Sequence, residues 1–148
     1  MNWKQELRQL KLSHTEKHHP DFYKLSGGSK MKVKAYKDTT TNGLTNSIMD
    51  FLKFNRHYAN RINSMGLMRK INGEMKYTPS STRKGVADIH SIINGKHCSI
   101  EVKCKATNDR MSKEQTRERA LIESSGGIYF IAEDMESFIN WYYQAFKK

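Results

Sequence analysis

The chain has 148 residues, 26 Lys and Arg against 15 Asp and Glu, and a formal net charge of +11. That length suits one domain with a real core, and the apolar residues gather after about residue 44, which argues against a wholly disordered chain. An apolar run of about 18 residues is absent, as is a basic helix with a clean apolar face, which excludes membrane spans and membrane-surface helices, and Met1-Asn-Trp-Lys-Gln-Glu lacks the apolar stretch of a signal peptide, so a cytoplasmic setting is expected.

The charge is lopsided. Residues 1–76 hold 15 Lys and Arg against 6 Asp and Glu, whereas residues 77–148 hold 11 against 9. A polyanion such as DNA is the partner this asymmetry suggests. Residues 1–40 read as a basic N-terminal extension, a helix followed by an extended arm, with the main domain over 41–148. Apolar residues at 3, 7 and 10 predict a short amphipathic helix from Trp3 to Leu12. His14, His18 and His19 follow it. The i, i+4 pair has zinc-ligand spacing, but no further ligand motif completes a site, so these side chains read as a solvated helix end. Leu25 to Lys34 reads as a loop opening into an arm with Lys30, Lys32, Lys34 and Lys37. That arm is either a phosphate-tracking strand or a solubilising linker.

Leu44, Ile48, Phe51 and Leu52 form one stripe, which predicts a helix from Leu44 to Tyr58 with caps among Thr39 to Asn42 and with Arg56, His57 and Arg61 near its C-terminal end. Residues 61–84 are polar and irregular, with short strands expected. Arg61-Ile-Asn-Ser-Met-Gly and Pro79-Ser-Ser-Thr-Arg-Lys-Gly are their most distinctive parts. Residues 86–93 and 96–104 are β-branched runs separated by Asn94-Gly95, the signature of a two-residue type I′ hairpin. Ser112 opens a helix to about Ser124, Gly126-Gly127 closes it, Ile128 to Ala132 is a buried strand, and Asp134 to Phe146 is a last helix. A strand, a helix and a strand between 97 and 132 make a crossover unit, whose two strands should be parallel neighbours. The predicted class is therefore α/β, a central mixed sheet flanked by helices. Cys98 and Cys104 would share a strand face roughly 20 Å apart, too far for a disulfide, so both read as buried free thiols.

The hairpin turn sets the register of the chemistry. If Ile93 faces Lys96, counting back puts Asp88 across from Glu101 and Val86 across from Lys103. Alternation then sends Asp88, Glu101 and Lys103 to one face and Ala87, Ile89, Ile93, Cys98, Ile100, Val102 and Cys104 to the other, the core side. Opposed carboxylates about 5 Å apart repel each other. Two resolutions stand: a hard divalent cation, Mg²⁺ or Mn²⁺, held between them, or neutralisation by Lys103. A lysine beside such a metal can position the attacking water or stabilise charge in phosphodiester hydrolysis. His90 and Ser99 share that face, His90 reading as solvent-facing. Arg83 and Lys84, in a hydroxyl-rich loop with Ser80 and Ser81, are candidate phosphate contacts, as are Lys105, Arg61 and Asn63.

Asp88, twelve residues, then Glu101-Val-Lys103 matches the PD-(D/E)xK nuclease pattern. Gly85-Val-Ala-Asp-Ile, Ile100-Glu-Val-Lys, Met111-Ser-Lys-Glu-Gln115 and Gly126-Gly127-Ile-Tyr-Phe-Ile-Ala, with Arg61-Ile-Asn-Ser-Met-Gly before them, together resemble the VRR-type nuclease family over roughly residues 40–143. The resemblance implies a restriction-endonuclease-like fold. It implies metal ligation by Asp88, Glu101 and the Val102 carbonyl, a catalytic Lys103, and Gln115 as part of the site. It also implies a stand-alone enzyme of the kind phages encode, acting on branched, flapped or nicked DNA inside a bacterial or phage-infected cell. One departure stands out: family members carry a Glu in the leading helix, and residues 39–60 contain none. Asp50 is the only acidic residue there. Ser112-Lys-Glu-Gln115 is also a capping box, which gives Gln115 a structural role that competes with the catalytic one. A domain this small would need a second copy to span a duplex, so a homodimer is expected. The rival classes are a non-catalytic nucleic-acid-binding protein and a phage regulatory protein that keeps a nuclease fold.

Overall fold

The computed structural model describes residues 2–63 and 66–147. Asn2 caps the first helix, α1 (Trp3–His18), by accepting from Lys4 N, and Gln5 completes a capping box. The helix outruns its predicted end at Leu12 because Leu12 and Thr15 are also buried. Pro20 stops it: the residue before a proline is pushed out of the helical region, and His19 has φ −141°. Pro20 then opens α2 (Pro20–Leu25) at a position where its missing N–H costs nothing.

Residues 31–40 adopt no regular structure, yet they lie on the body of the protein. Met31 and Tyr36 are buried while Lys30, Lys32, Lys34 and Lys37 stay exposed. Leu7 and Tyr36 join the same core cluster as the later elements, so the basic extension packs as part of that core. Lys34 pairs with Asp50 at 2.7 Å and also lies over the Tyr36 ring.

Thr40 caps α3 (Thr41–Phe54) by accepting from Gly43 N, and Leu44, Ile48, Phe51 and Leu52 are completely buried. This helix ends four residues before the predicted Tyr58. Asn55 Nδ2 donates to the Phe51 carbonyl, Arg56 turns the chain at φ 65°, and β1 (Tyr58–Arg61) follows. The reason is tertiary. These residues pair with β4 (Ile89–Ile93), and a ladder partner outweighs a weak helical preference. Arg61 is consequently a strand residue rather than a helix end.

The main sheet has the order β1-β4-β5-β6, with β5 spanning Lys96–Val102 and β6 Ile128–Ala132. Pairs β1/β4 and β4/β5 are antiparallel and β5/β6 is parallel, so the sheet is mixed as expected. The crossover between β5 and β6 carries α4 (Lys113–Ser124), and α5 (Met135–Phe146) ends the fold, capped by Asp134. One sheet face is the core. Ala87, Ile89, Ile93, Cys98, Ile100, Val102 and Cys104 are all buried, as the alternation predicts. Phe51 meets Phe138 and Tyr142 edge-on at 5.6 and 5.1 Å. Each large apolar side chain buried there contributes about 1.5–3 kcal/mol. Both cysteines are free and buried.

The opposite face is covered more thinly. Helix α4 buries no residue, and the stripe it leaves half-buried is Gln115, Glu118 and Ile122. A separate two-stranded ribbon, β2 (Leu67–Ile71) with β3 (Glu74–Thr78), turns at Asn72-Gly73 with φ 50° and 86°. The expected short strands of 61–84 are this ribbon. Ser64 and Met65, inside the Arg61-to-Gly66 motif, lie outside the described residues. No described helix is long and apolar enough to cross a membrane.

Candidate active site

Asn94 and Gly95 take φ 48° and 80°, both left-handed, as a type I′ turn requires. The ladder pairs Ile93 with Lys96 and Ile89 with Ile100, so the predicted register holds and Asp88 comes opposite Glu101. Asp88 sits in a bend one residue before β4. Its carbonyl accepts from Ile62 N at 2.8 Å, and its Oδ2 accepts from Val102 N at 2.9 Å. The carboxylate is thereby tied to the backbone of the strand that carries Glu101.

Glu101 is only 2% exposed. Its Oε1 accepts from Lys103 Nζ at 3.1 Å and from Gln115 Nε2, while the buried Oε2 makes no hydrogen bond. Burial, and then the Asp88 charge, push the Glu101 carboxyl up to about 7, against the hydrogen bond and charge of Lys103. Lys103 also reaches Asp109 Oδ2 at 3.4 Å, a partner the sequence reading did not single out. Of the two resolutions expected for the carboxylate pair, the lysine one is present: Lys103 lies against Oε1, while Oε2 has no hydrogen-bond geometry to a described residue.

Gln115 answers its own competition. Its Oε1 accepts from Ser112 N at 2.9 Å, closing the capping box, while its Nε2 donates to Glu101. The amide has one end for the cap and one for Glu101, so capping does not keep Gln115 from the carboxylate pair.

An open cleft of about 530 Å³ runs beside this group, with Arg83, Lys84, Gly85, Asp88 and Gln115 in its wall. Gly85 has φ 83°, and a Cβ there would come within 2.5 Å of the Glu114 carbonyl. Only glycine lets the 83–86 loop lie on the first turn of α4. Lys84 is exposed in this cleft, while Arg83 is ion-paired with Glu118. Lys105, exposed, starts a 3-10 turn just beyond β5. Arg61 stands apart. It faces Ile89, whose side chain is on the core side, and donates to Asn42 Oδ1 at 2.6 Å, so it lies at the same sheet end as Asp88 but on the other face. Asp50 is engaged by Lys34 and by the Tyr36 hydroxyl at 3.1 Å, not by the carboxylate pair.

A row of polar side chains lies under α4. The ladders put His90 beside Ser99 and Ser99 beside Tyr129, with Glu101 next along β5. His90 Nε2, Ser99 Oγ, Glu101 Oε2 and Tyr129 OH are all buried without hydrogen-bond geometry to any described residue. His90 is therefore not solvent-facing. Burial, then the neighbouring His97, lower its pKa. The Tyr129 hydroxyl is close enough to feel Glu101: burial, then that charge, push its pKa up. Alternation along β5 hinted at Ser99, but Tyr129 depends on the β5/β6 register, which no local pattern encodes.

Two oxygen ligands from carboxylates, one with a free buried oxygen, fit a hard divalent cation that keeps several waters, as Mg²⁺ does. Among the described residues no group of three or more His, Cys, Asp or Glu side chains gathers to hold a metal, so backbone and water would supply the other positions. No family model, curated protein or solved structure matches the chain.

Proposed function

We propose that the chain is a metal-dependent DNA endonuclease of restriction-endonuclease-like fold, similar to the stand-alone VRR-type enzymes that phages encode. The observation that carries the reading is the buried Glu101 carboxylate, one oxygen held by Lys103 and Gln115 and the other without hydrogen-bond geometry to a described residue, near Asp88 and the Tyr129 hydroxyl. A sequence that needed only a stable sheet would not put two carboxylates there.

Asp88, Glu101 and the Val102 carbonyl would hold Mg²⁺ or Mn²⁺, which supplies a more acidic bound water and neutralises charge on the phosphate. Lys103 brings an ammonium to within reach of the same carboxylate, where it positions the water or stabilises the oxyanion that forms. Gln115 fixes the Glu101 rotamer from the rigid start of α4. Lys84 and Arg83 would grip the phosphates that enter the cleft, with Lys105 beyond the end of β5, whereas Arg61, on the other sheet face, takes no part in this grip. Branched, flapped or nicked DNA is the proposed substrate, a homodimer the proposed form and the cytoplasm of a bacterial or infected cell the proposed location.

The test is cleavage of linear, nicked, flapped and four-way DNA with Mg²⁺, Mn²⁺ or EDTA, beside Glu101→Ala. Metal-dependent cutting that disappears in the variant supports the reading. Binding of DNA without cutting under any condition would replace it with a non-catalytic DNA-binding or regulatory role.

A further inference from the structure

The β2–β3 ribbon has no buried residue: all ten of its positions are exposed. Leu67, Met68, Met75 and Tyr77 stay between 49% and 63% exposed, an unusual amount of apolar surface for an element that stands clear of the sheet. A lone two-stranded hairpin is marginal in water, so something at its base must hold it. Gly66 does part of this, since a Cβ there would fall within 2.4 Å of the Tyr77 ring.

The ladder pairs Arg69 directly with Lys76, two cations on one face, with Lys70 on the other. None of the three makes an ion pair with any described residue, and Glu74 is the only acid in the ribbon. Like charges directly opposed are destabilising. The same reasoning that places a cation between Asp88 and Glu101 places an anion against Arg69 and Lys76. The ribbon also adjoins the cleft: Tyr77 lines it beside Asp88, and Arg69 and Leu67 line a neighbouring hollow of about 370 Å³ that shares Pro79, Ser80 and Thr82 with it.

We propose that the β2–β3 ribbon is a duplex-gripping arm, whose Arg69–Lys76 pair engages DNA phosphates while its exposed apolar side chains lie along the groove. A two-stranded ribbon matches the major groove, which is about 12 Å wide. A second copy of the chain fits less well: an isologous contact would set this cationic pair against its own image. The proposal rests on the nuclease reading only for the choice of DNA as the polyanion.

The experiment is fluorescence anisotropy of a short labelled DNA duplex in EDTA, over a salt series, with the full chain. Arg69→Ala/Lys76→Ala is compared with Lys96→Ala/Lys147→Ala, an equal charge loss. Lys96 borders the Asn94-Gly95 turn and Lys147 follows Phe146, whose carbonyl accepts from Asn94, so this control sits at the far sheet end. The ribbon variant should bind roughly ten-fold more weakly, with a salt slope shallower by about 2, because two phosphate contacts are lost. The control should bind as the unaltered chain does, and Arg69→Lys/Lys76→Arg should restore affinity. Equal losses in both variants, no loss in the ribbon variant, or no duplex binding by the unaltered chain would each overturn the proposal. So would a changed sedimentation coefficient in the ribbon variant alone, which would mark a self-contact. If duplex binding follows the ribbon but Mg²⁺ and Mn²⁺ produce no cutting, the ribbon proposal stands and the nuclease reading fails.

Discussion

Two hairpins in this protein share one turn and differ in almost everything else. Asn72-Gly73 and Asn94-Gly95 both take left-handed backbone and both close a ladder of five residue pairs, yet β4 and β5 lie inside the sheet while β2 and β3 bury nothing. Each presents a pair of opposed like charges at its open end or middle. In one the pair is Asp88 and Glu101, in the other Arg69 and Lys76. A turn motif therefore specifies a hairpin and its register but not its surroundings, which follow from composition. Ile89-His-Ser-Ile-Ile offers apolar side chains to a core, whereas Leu67-Met-Arg-Lys-Ile interrupts them with cations. In the proposed readings the two charge pairs take opposite partners, a cation for one and a polyanion for the other.

The sharpest way to break this contrast is at the carboxylate pair. Glu101→Ala should lower metal-dependent cleavage by about 10²–10³-fold or more, and Lys103→Met by a similar factor, with duplex binding in EDTA unchanged for both. Cutting that survives either change would remove the chemistry from this hairpin.

Core substitutions come next. Ile100→Ala, completely buried in β5, should cost about 2–5 kcal/mol in urea unfolding.

The pH dependence of the metal-free protein tests the Glu101 environment. A carboxyl held at about 7, above its ordinary 4.5, binds more protons folded than unfolded between those values. Stability should therefore fall as pH rises from about 4.5 to about 7, by on the order of 2–3 kcal/mol, and level off above that. Glu101→Gln should flatten the profile. Metal binding displaces the proton, so Mg²⁺ or Mn²⁺ should raise Tm more at pH 8 than at pH 6.

Gln115→Ala removes one cap and one donor to Glu101, for about 1–2 kcal/mol by the same urea measurement, and should also reduce cleavage. A stability loss with unchanged cleavage would leave Gln115 a cap alone. Smallest of all, Ile71→Ala and Met75→Ala in the exposed ribbon should move stability by no more than about 0.5 kcal/mol. A larger loss would mean that the ribbon is packed against something in the free protein.

What the residues alone determined is local or follows from strand alternation. The Asn94-Gly95 register, the core face from Ala87 to Cys104, the Ser112 and Asp134 caps and the opposition of Asp88 to Glu101 all come from period, turn chemistry and counting, which need no knowledge of distant segments. The tertiary structure decided the rest. Tyr58–Arg61 is a strand because β4 has a free edge to pair with, although its own preferences continue α3. The Asn72-Gly73 turn carried the same signal as its twin, but its cation-interrupted arms hid it in a polar stretch. Gln115 serves the cap and Glu101 at once because the crossover lays the start of α4 over β5. Arg61 faces away from the carboxylates because its strand pairs in one register with Ile89. Tyr129 reaches the same buried row because β6 pairs in parallel with β5. Each of these depends on segments far apart in the chain meeting in one register. That register is set by burying a shared core, which no single stretch of residues encodes.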